Sequence, residues 1–149
     1  MFTTEIKLFS ELTLNELYAS LRLRSEVFVV EQDCVYQDVD NKDSYALHVL
    51  GKKDGEIVAY TRIFDSGKYF DNPSIGRVVV AQDERKYGYG HQILEASIEA
   101  IYSNFGKQDI EISAQCYLKK FYNSHGFSQI GEEYLEDGIP HIRMIKSQS

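Results

Sequence analysis

Cysteine is scarce in this chain: Cys34 and Cys116 are the only two among 149 residues. Two thiols do not make a multi-bridge framework of the kind that staples small secreted domains, nor the ligand set of a structural zinc site. Cys116 follows an apparent strand and reads as a small apolar residue or as a nucleophilic thiol. Long apolar runs are missing too. The longest stretches, such as Val78-Val79-Val80-Ala81, fall far short of a bilayer span, and nothing predicts a membrane partner. The first residues, Met1-Phe2-Thr3-Thr4-Glu5, lack the basic start and apolar core of a secretory signal, so a cytoplasmic location is expected. Basic charge is in deficit: 16 Lys and Arg stand against 23 Asp and Glu, a formal net charge of −7. That balance excludes broad nucleic-acid binding and suits a cationic partner such as an amine. Internal repeats, linkers and low-complexity segments are absent, and one domain over residues 1–149 is expected.

The pattern along the chain is that of a mixed α/β fold. Thr3 to Phe9 reads as a strand. Thr13-Leu14-Asn15-Glu16 is a capping box, and Leu14, Leu17, Leu21, Ser25 and Phe28 recur at helical spacing after it. A polar, acid-rich loop spans Glu31 to Asp43. Tyr45 to Lys52 and Ile57 to Phe64 form a hairpin around Asp54-Gly55. Ile75 to Ala81 is apolar enough for a central strand, and Ile93 or Leu94, Ser97, Ile98, Ile101 and Phe105 mark a second amphipathic helix. Ile110 to Ala114 is a strand, Leu118, Phe121 and Tyr122 lie on a short helix stopped by Gly126, and two antiparallel strands meet around Glu136-Asp137-Gly138. The predicted order is β-α-β-β-β-α-β-α-β-β.

One junction carries chemistry. A strand runs into Arg85-x-x-Gly88-x-Gly90 and then into a helix. Glycines let the backbone approach a ligand, and the first helical amides lack intrahelical partners, so the turn favours an anion. A Walker loop would need Lys-Ser/Thr after Gly90, where His91-Gln92 stand. A Rossmann turn would need glycine at Ile93. A glycine-rich turn without any ligand is the remaining alternative at this point.

In these residues the chain resembles the GNAT acyltransferase family, whose signature is Arg/Gln-x-x-Gly-x-Gly/Ala between an apolar strand and a long helix. Val78-Val79-Val80, then Arg85, Gly88 and Gly90, then Gln92 to Phe105 match it in order. Downstream, Phe121-Tyr122-Asn123-Ser124-His125-Gly126-Phe127 is similar to the family's Phe-Tyr-x-x-x-Gly-Phe segment. Arg24 to Gln32, followed by Tyr36-Gln37-Asp38-Val39-Asp40, resembles the ElaA-like branch. Gln82 replaces a frequent proline and Lys86 a frequent glycine, and neither change removes a functional side chain.

The resemblance implies a single GNAT domain: a mixed, mostly antiparallel sheet flanked by helices and splayed at the cofactor-binding strands. It implies acetyl-coenzyme A as acyl donor, without a metal, and a primary amine of a small molecule or peptide as acceptor. The amides of Arg85, Lys86, Tyr87, Gly88, Tyr89 and Gly90 would hold the pyrophosphate. Val78, Val79 and Val80 would bond the pantetheine arm through their backbone, with the Val78 amide near the thioester carbonyl. A lysine-like amine has a pKa of about 10.4, so freeing its lone pair near neutral pH costs roughly 4–5 kcal/mol. Tyr122 matches the family's proton donor to the departing thiolate, and also reads as a core tyrosine. Glu31 is the leading candidate for the base, with His48, Glu111 and a water relay as alternatives. A longer acyl donor, as in acyl-homoserine lactone synthases, and a non-catalytic acyl-coenzyme A sensor are the competing functions. A homodimer is compatible with all three.

The remaining charges have two readings each. Asp38-x-Asp40 begins like a calcium loop, but Lys42, Asp43 and Val49 occupy the later ligand, glycine and glutamate positions. The four histidines lack ligand spacing, and no metal is expected. Arg62 and Arg77 on buried strands predict either a structural ion-pair network or recognition of a substrate carboxylate.

Overall fold

The computed structural model describes residues 1–148. Strands β1 (Phe2–Leu8), β2 (Leu47–Lys53), β3 (Glu56–Phe64), β4 (Ser74–Val80), β5 (Ile110–Gln115), β6 (Phe127–Glu136) and β7 (Ile139–Lys146) form one sheet in the order β1-β2-β3-β4-β5-β7-β6. Helices α1 (Leu14–Arg24), α2 (Tyr89–Phe105) and α3 (Lys119–Asn123) complete the predicted order. The turns form where the sequence placed them. Asp54 and Gly55, with φ of 52° and 85°, make the tight β2–β3 hairpin, and Asp137 and Gly138, at 53° and 77°, make the β6–β7 hairpin. The capping box is present: Glu16 N–H donates to Thr13 Oγ1 at 3.0 Å, and Thr13 N–H donates to Glu16 Oε1 at 2.9 Å.

Two apolar cores sandwich the middle of the sheet. Ile93, Leu94, Ile98 and Ile101 of α2 pack on Val49, Ala59, Ile63, Ile75, Ile112 and Met144. On the other face Leu23, Val27 and Phe28 pack on Leu50, Tyr60 and Val79. Strand β3 is buried from Val58 to Phe64 because it lies beneath both layers.

The expected apolar stripe of α1 needs correction. Leu14 is 87% exposed, and the helix instead buries Glu16, Ser20, Leu23 and Arg24. The polar members are tolerated because each charge has a partner: Glu16 binds Lys7 and Lys52 at 2.8 Å, and Arg24 binds Asp38 and Asp43 at 2.9 and 2.8 Å. Beyond Arg24 the helix widens to π geometry over Ser25–Glu31, with Gln32 N–H bonded to the Val27 carbonyl. One extra residue per turn shifts the phase, so Val27 and Phe28 face inward together.

Candidate active site

The site begins with a strand that leaves its neighbour. β4 and β5 are the sheet's parallel pair, and their register is the single match Ser74↔Glu111. Beyond it the strands splay, so Val78–Val80 have no ladder partner on the β5 side. The cause is local. Register between β3 and β4 slips between Tyr60 and Arg62, and Arg77 sits in the slip with φ 51°. A β-bulge bends its strand, and a left-handed arginine costs roughly 1–3 kcal/mol that the surroundings must supply.

Those surroundings are an ion network behind the bulge. The Arg77 guanidinium lies 2.7 Å from Asp38, and Arg62 binds Asp40 at 2.6 Å and Asp43 at 3.0 Å. Arg24 joins Asp38 and Asp43, so three arginines match three aspartates. Burial works to raise the Asp40 and Asp43 pKa values, but the arginines outweigh it and hold both well below the ordinary carboxylate range. The acidic loop therefore closes onto arginines, and Arg62 and Arg77 adopt the structural reading.

The spread strands open a cleft of about 320 Å³, lined by Val78, Val79 and Val80 on one side and Gln115, Leu118, Phe121 and Tyr122 on the other. Gly88 and Gly90 lie at its end. Gly88 has φ 75° and caps α2 without any side-chain hydrogen bond, so the first amides of that 17-residue helix stay uncapped by side chains. The turn is braced from behind: Tyr89 stacks on Phe2 at 4.1 Å, and Lys53 binds Glu84 at 3.0 Å while lying 4.3 Å from the Tyr87 ring. Of the sequence candidates, Val78, Val79, Val80, Arg85, Gly88, Gly90 and Tyr122 converge on this cleft. The side chains of Lys86, Tyr87 and Tyr89 do not line it.

Glu31 comes to the same end. Its carboxylate takes two hydrogen bonds from Arg85, at 2.6 and 2.7 Å, while Arg85 Nε donates to the Val80 carbonyl. His48 and Glu111 are elsewhere engaged. His48 is buried between the Tyr60 hydroxyl and the Asp43 carbonyl, at 2.6 and 2.9 Å, and burial lowers its pKa. Glu111 is held by Arg143.

A second cavity of about 90 Å³ opens in front of the bulge and shares Phe28, Gln32, Val78, Gln115, Leu118 and Tyr122 with the first. Tyr122 is 5% exposed, and burial pushes its phenol well above the ordinary tyrosine range. Its hydroxyl finds no hydrogen-bond partner among the described residues, although the ring packs edge-on against Phe121 and Phe127. Gln32 Nε2 donates across the splay to Gln115 Oε1 at 2.9 Å, and the Cys34 thiol reaches the Asp137 carbonyl at 3.3 Å. This strap and the polar far wall, Ser113, Glu136 and His141, were not singled out from the sequence. Their signal is the alternation of β7, where buried Ile142 and Met144 flank Arg143, but its front-face partners follow only from register.

Residues 10–148 match the family model described as "Acetyltransferase (GNAT) domain". The ElaA protein of Escherichia coli is 42% identical over 139 residues, covering 92% of this chain and 91% of its own length. Two solved structures overlay closely. An acyl-CoA N-acyltransferase from Pseudomonas aeruginosa has a TM-score of 0.93 at 40% identity, covering 99% of this chain and 100% of its own. E. coli ElaA has a TM-score of 0.91 at 40% identity, with the same coverage.

Proposed function

The chain belongs to the GNAT acyltransferase family, in its ElaA-like branch, and from that footing we propose that it transfers an acetyl group from acetyl-coenzyme A to a primary amine by direct attack on the thioester. The observation that carries this reading is Tyr122, a buried tyrosine whose hydroxyl has no partner among the described residues, where the strand cleft meets the second cavity. A donor thioester reaching that junction meets an acceptor from the other side.

The division of labour follows from what each element offers. The uncapped amides at Gly88–Gly90 and the Arg85 guanidinium take the pyrophosphate of the donor. The free edge of Val78–Val80 takes its pantetheine amides as an added strand would. The Val78 amide stabilises the oxyanion as the thioester carbonyl becomes tetrahedral. Tyr122 gives the departing sulfur a proton. Burial makes a free phenolate costly there, so the hydroxyl acts as a hydrogen-bond donor that is reprotonated as the thiolate leaves.

The test is release of free coenzyme A thiol from acetyl-coenzyme A against a panel of polyamines, amino acids, aminoglycosides and peptides. Turnover with at least one amine is expected. Tyr122→Phe should lower kcat on the order of 100-fold and leave acetyl-coenzyme A affinity within about twofold. Unchanged kcat in that variant would remove Tyr122 from the mechanism.

A further inference from the structure

Acetyl transfer needs a group that takes a proton from the acceptor. Glu31 is engaged with Arg85, and β4 brings no carboxylate to the second cavity. The front face of β5, β7 and β6 supplies two candidates. Register sets Gln115, His141 and Tyr134 side by side across those strands, with Ser113 and Glu136 nearby on the same wall. His141 is 7% exposed, and its Nδ1 lies 2.7 Å from the Ile139 carbonyl oxygen. A carbonyl only accepts, so Nδ1 carries the hydrogen and the neutral ring presents a lone pair at Nε2. That Nε2 lies 3.6 Å from Glu136 Oε2, while the Ser113 hydroxyl donates to Glu136 Oε1 at 3.3 Å.

A lone pair and a carboxylate face each other here at a spacing longer than a direct N–H···O bond. An ammonium group, with three N–H donors, satisfies both at once. Among the described residues lining the cavity, the guanidinium is that of Arg77, already neutralised by Asp38, so among them no free cation awaits a substrate carboxylate.

Resting on the acyl transfer proposed above, we infer that Glu136 and His141 form the acceptor's amine site, and that the acceptor is an alkyl primary amine without a neighbouring carboxylate, such as a diamine, a polyamine or a lysine side chain. Glu136 binds the ammonium, and His141 Nε2 removes one proton. The freed nitrogen lone pair attacks the thioester carbon, the C–N bond forms and the carbonyl π pair moves to oxygen. On collapse the C–S bond breaks. A second proton of the original ammonium reaches the thiolate through Tyr122, the third stays on the amide nitrogen, and His141 returns its proton to solvent.

Two probes test this: cadaverine, and glutamate as an amine beside a carboxylate. Calorimetric binding of cadaverine to the protein loaded with unreactive coenzyme A should weaken about 10-fold or more in Glu136→Gln. In turnover, that variant should raise KM for cadaverine. His141→Ala should lower kcat about 100-fold at unchanged acetyl-coenzyme A affinity, and added imidazole should restore part of it. Glutamate should be the poorer acceptor. Cadaverine binding equally to wild type and Glu136→Gln, or glutamate outperforming cadaverine, would overturn the assignment; absent binding to wild type would as well. Should His141→Ala not fold, His141→Gln and the Glu136→Gln binding comparison decide. Wild type that binds cadaverine but releases no thiol with any amine counts against acetyl transfer and leaves the amine site standing. Turnover untouched by either substitution does the reverse.

Discussion

Arg85 and Glu31 illustrate how one contact separates two roles. The pair is bidentate and partly solvent-exposed, so it adds little to stability; exposed pairs are worth about 0–1 kcal/mol. Its consequence is positional: Glu31 holds the guanidinium at the mouth of the cleft, against the Val80 carbonyl. Arg85→Gln should therefore raise the Kd for acetyl-coenzyme A about 10-fold or more, the scale of one charge-assisted contact, while the thermal midpoint moves little. Glu31→Gln separates the readings of that carboxylate. A counter-ion role changes acetyl-coenzyme A affinity and leaves the pH–rate profile in place, whereas loss of a limb of the profile would make Glu31 the base expected from the sequence. Tyr122 was legible from its motif. Glu136 and His141 were not: they sit on the two arms of the Asp137–Gly138 hairpin, a turn legible in the sequence, but only the Tyr134↔His141 and Gln115↔His141 registers set them on one cavity wall with Ser113.

At the scale of elements, the glycine turn and the hairpins were readable because a positive φ has a local signature. Gly88 is the sharpest case: a Cβ there would meet nothing within 4 Å, so φ 75° is its whole requirement. Gly88→Ala should cost about 1–2 kcal/mol in chemical denaturation, and Gly88→Asn less, since asparagine tolerates the left-handed region. Equal losses would point to a steric demand instead. The bulge at Arg77 carries no such signature, because arginine is a poor left-handed residue and only the network behind it holds the strand in place. The same network explains why the buried face of α1 does not appear as an apolar stripe. A stripe that buries Glu16, Ser20 and Arg24 is invisible to a hydrophobic period, and the π segment then breaks the period itself. Removing one member tests its weight: Asp43→Ala leaves Arg24 and Arg62 under-compensated and should destabilise by about 3–5 kcal/mol, read as a shift in urea midpoint.

The whole molecule feels these buried charges through pH. Burial works to raise the Glu16 pKa, but Lys52, Lys7 and the Thr13 amide pull it from the ordinary 4.5 to about 2. Asp40 and Asp43 are depressed in the same sense from 3.8. A carboxylate with a depressed native pKa contributes stability above its unfolded value and loses it as pH falls toward the native one. His48 acts earlier. Burial lowers its pKa from 6.5, so below that value the unfolded chain binds a proton that the native state refuses, and stability again falls with pH. Both slopes share one sign at different heights. The urea midpoint should decline gently from about pH 6.5 and steeply below about pH 4.5. His48→Gln keeps a donor for the Asp43 carbonyl and an acceptor for the Tyr60 hydroxyl, yet cannot titrate. It should flatten the upper part of the curve and leave the lower part intact. An unchanged upper slope would leave the buried imidazole no share in the acid response.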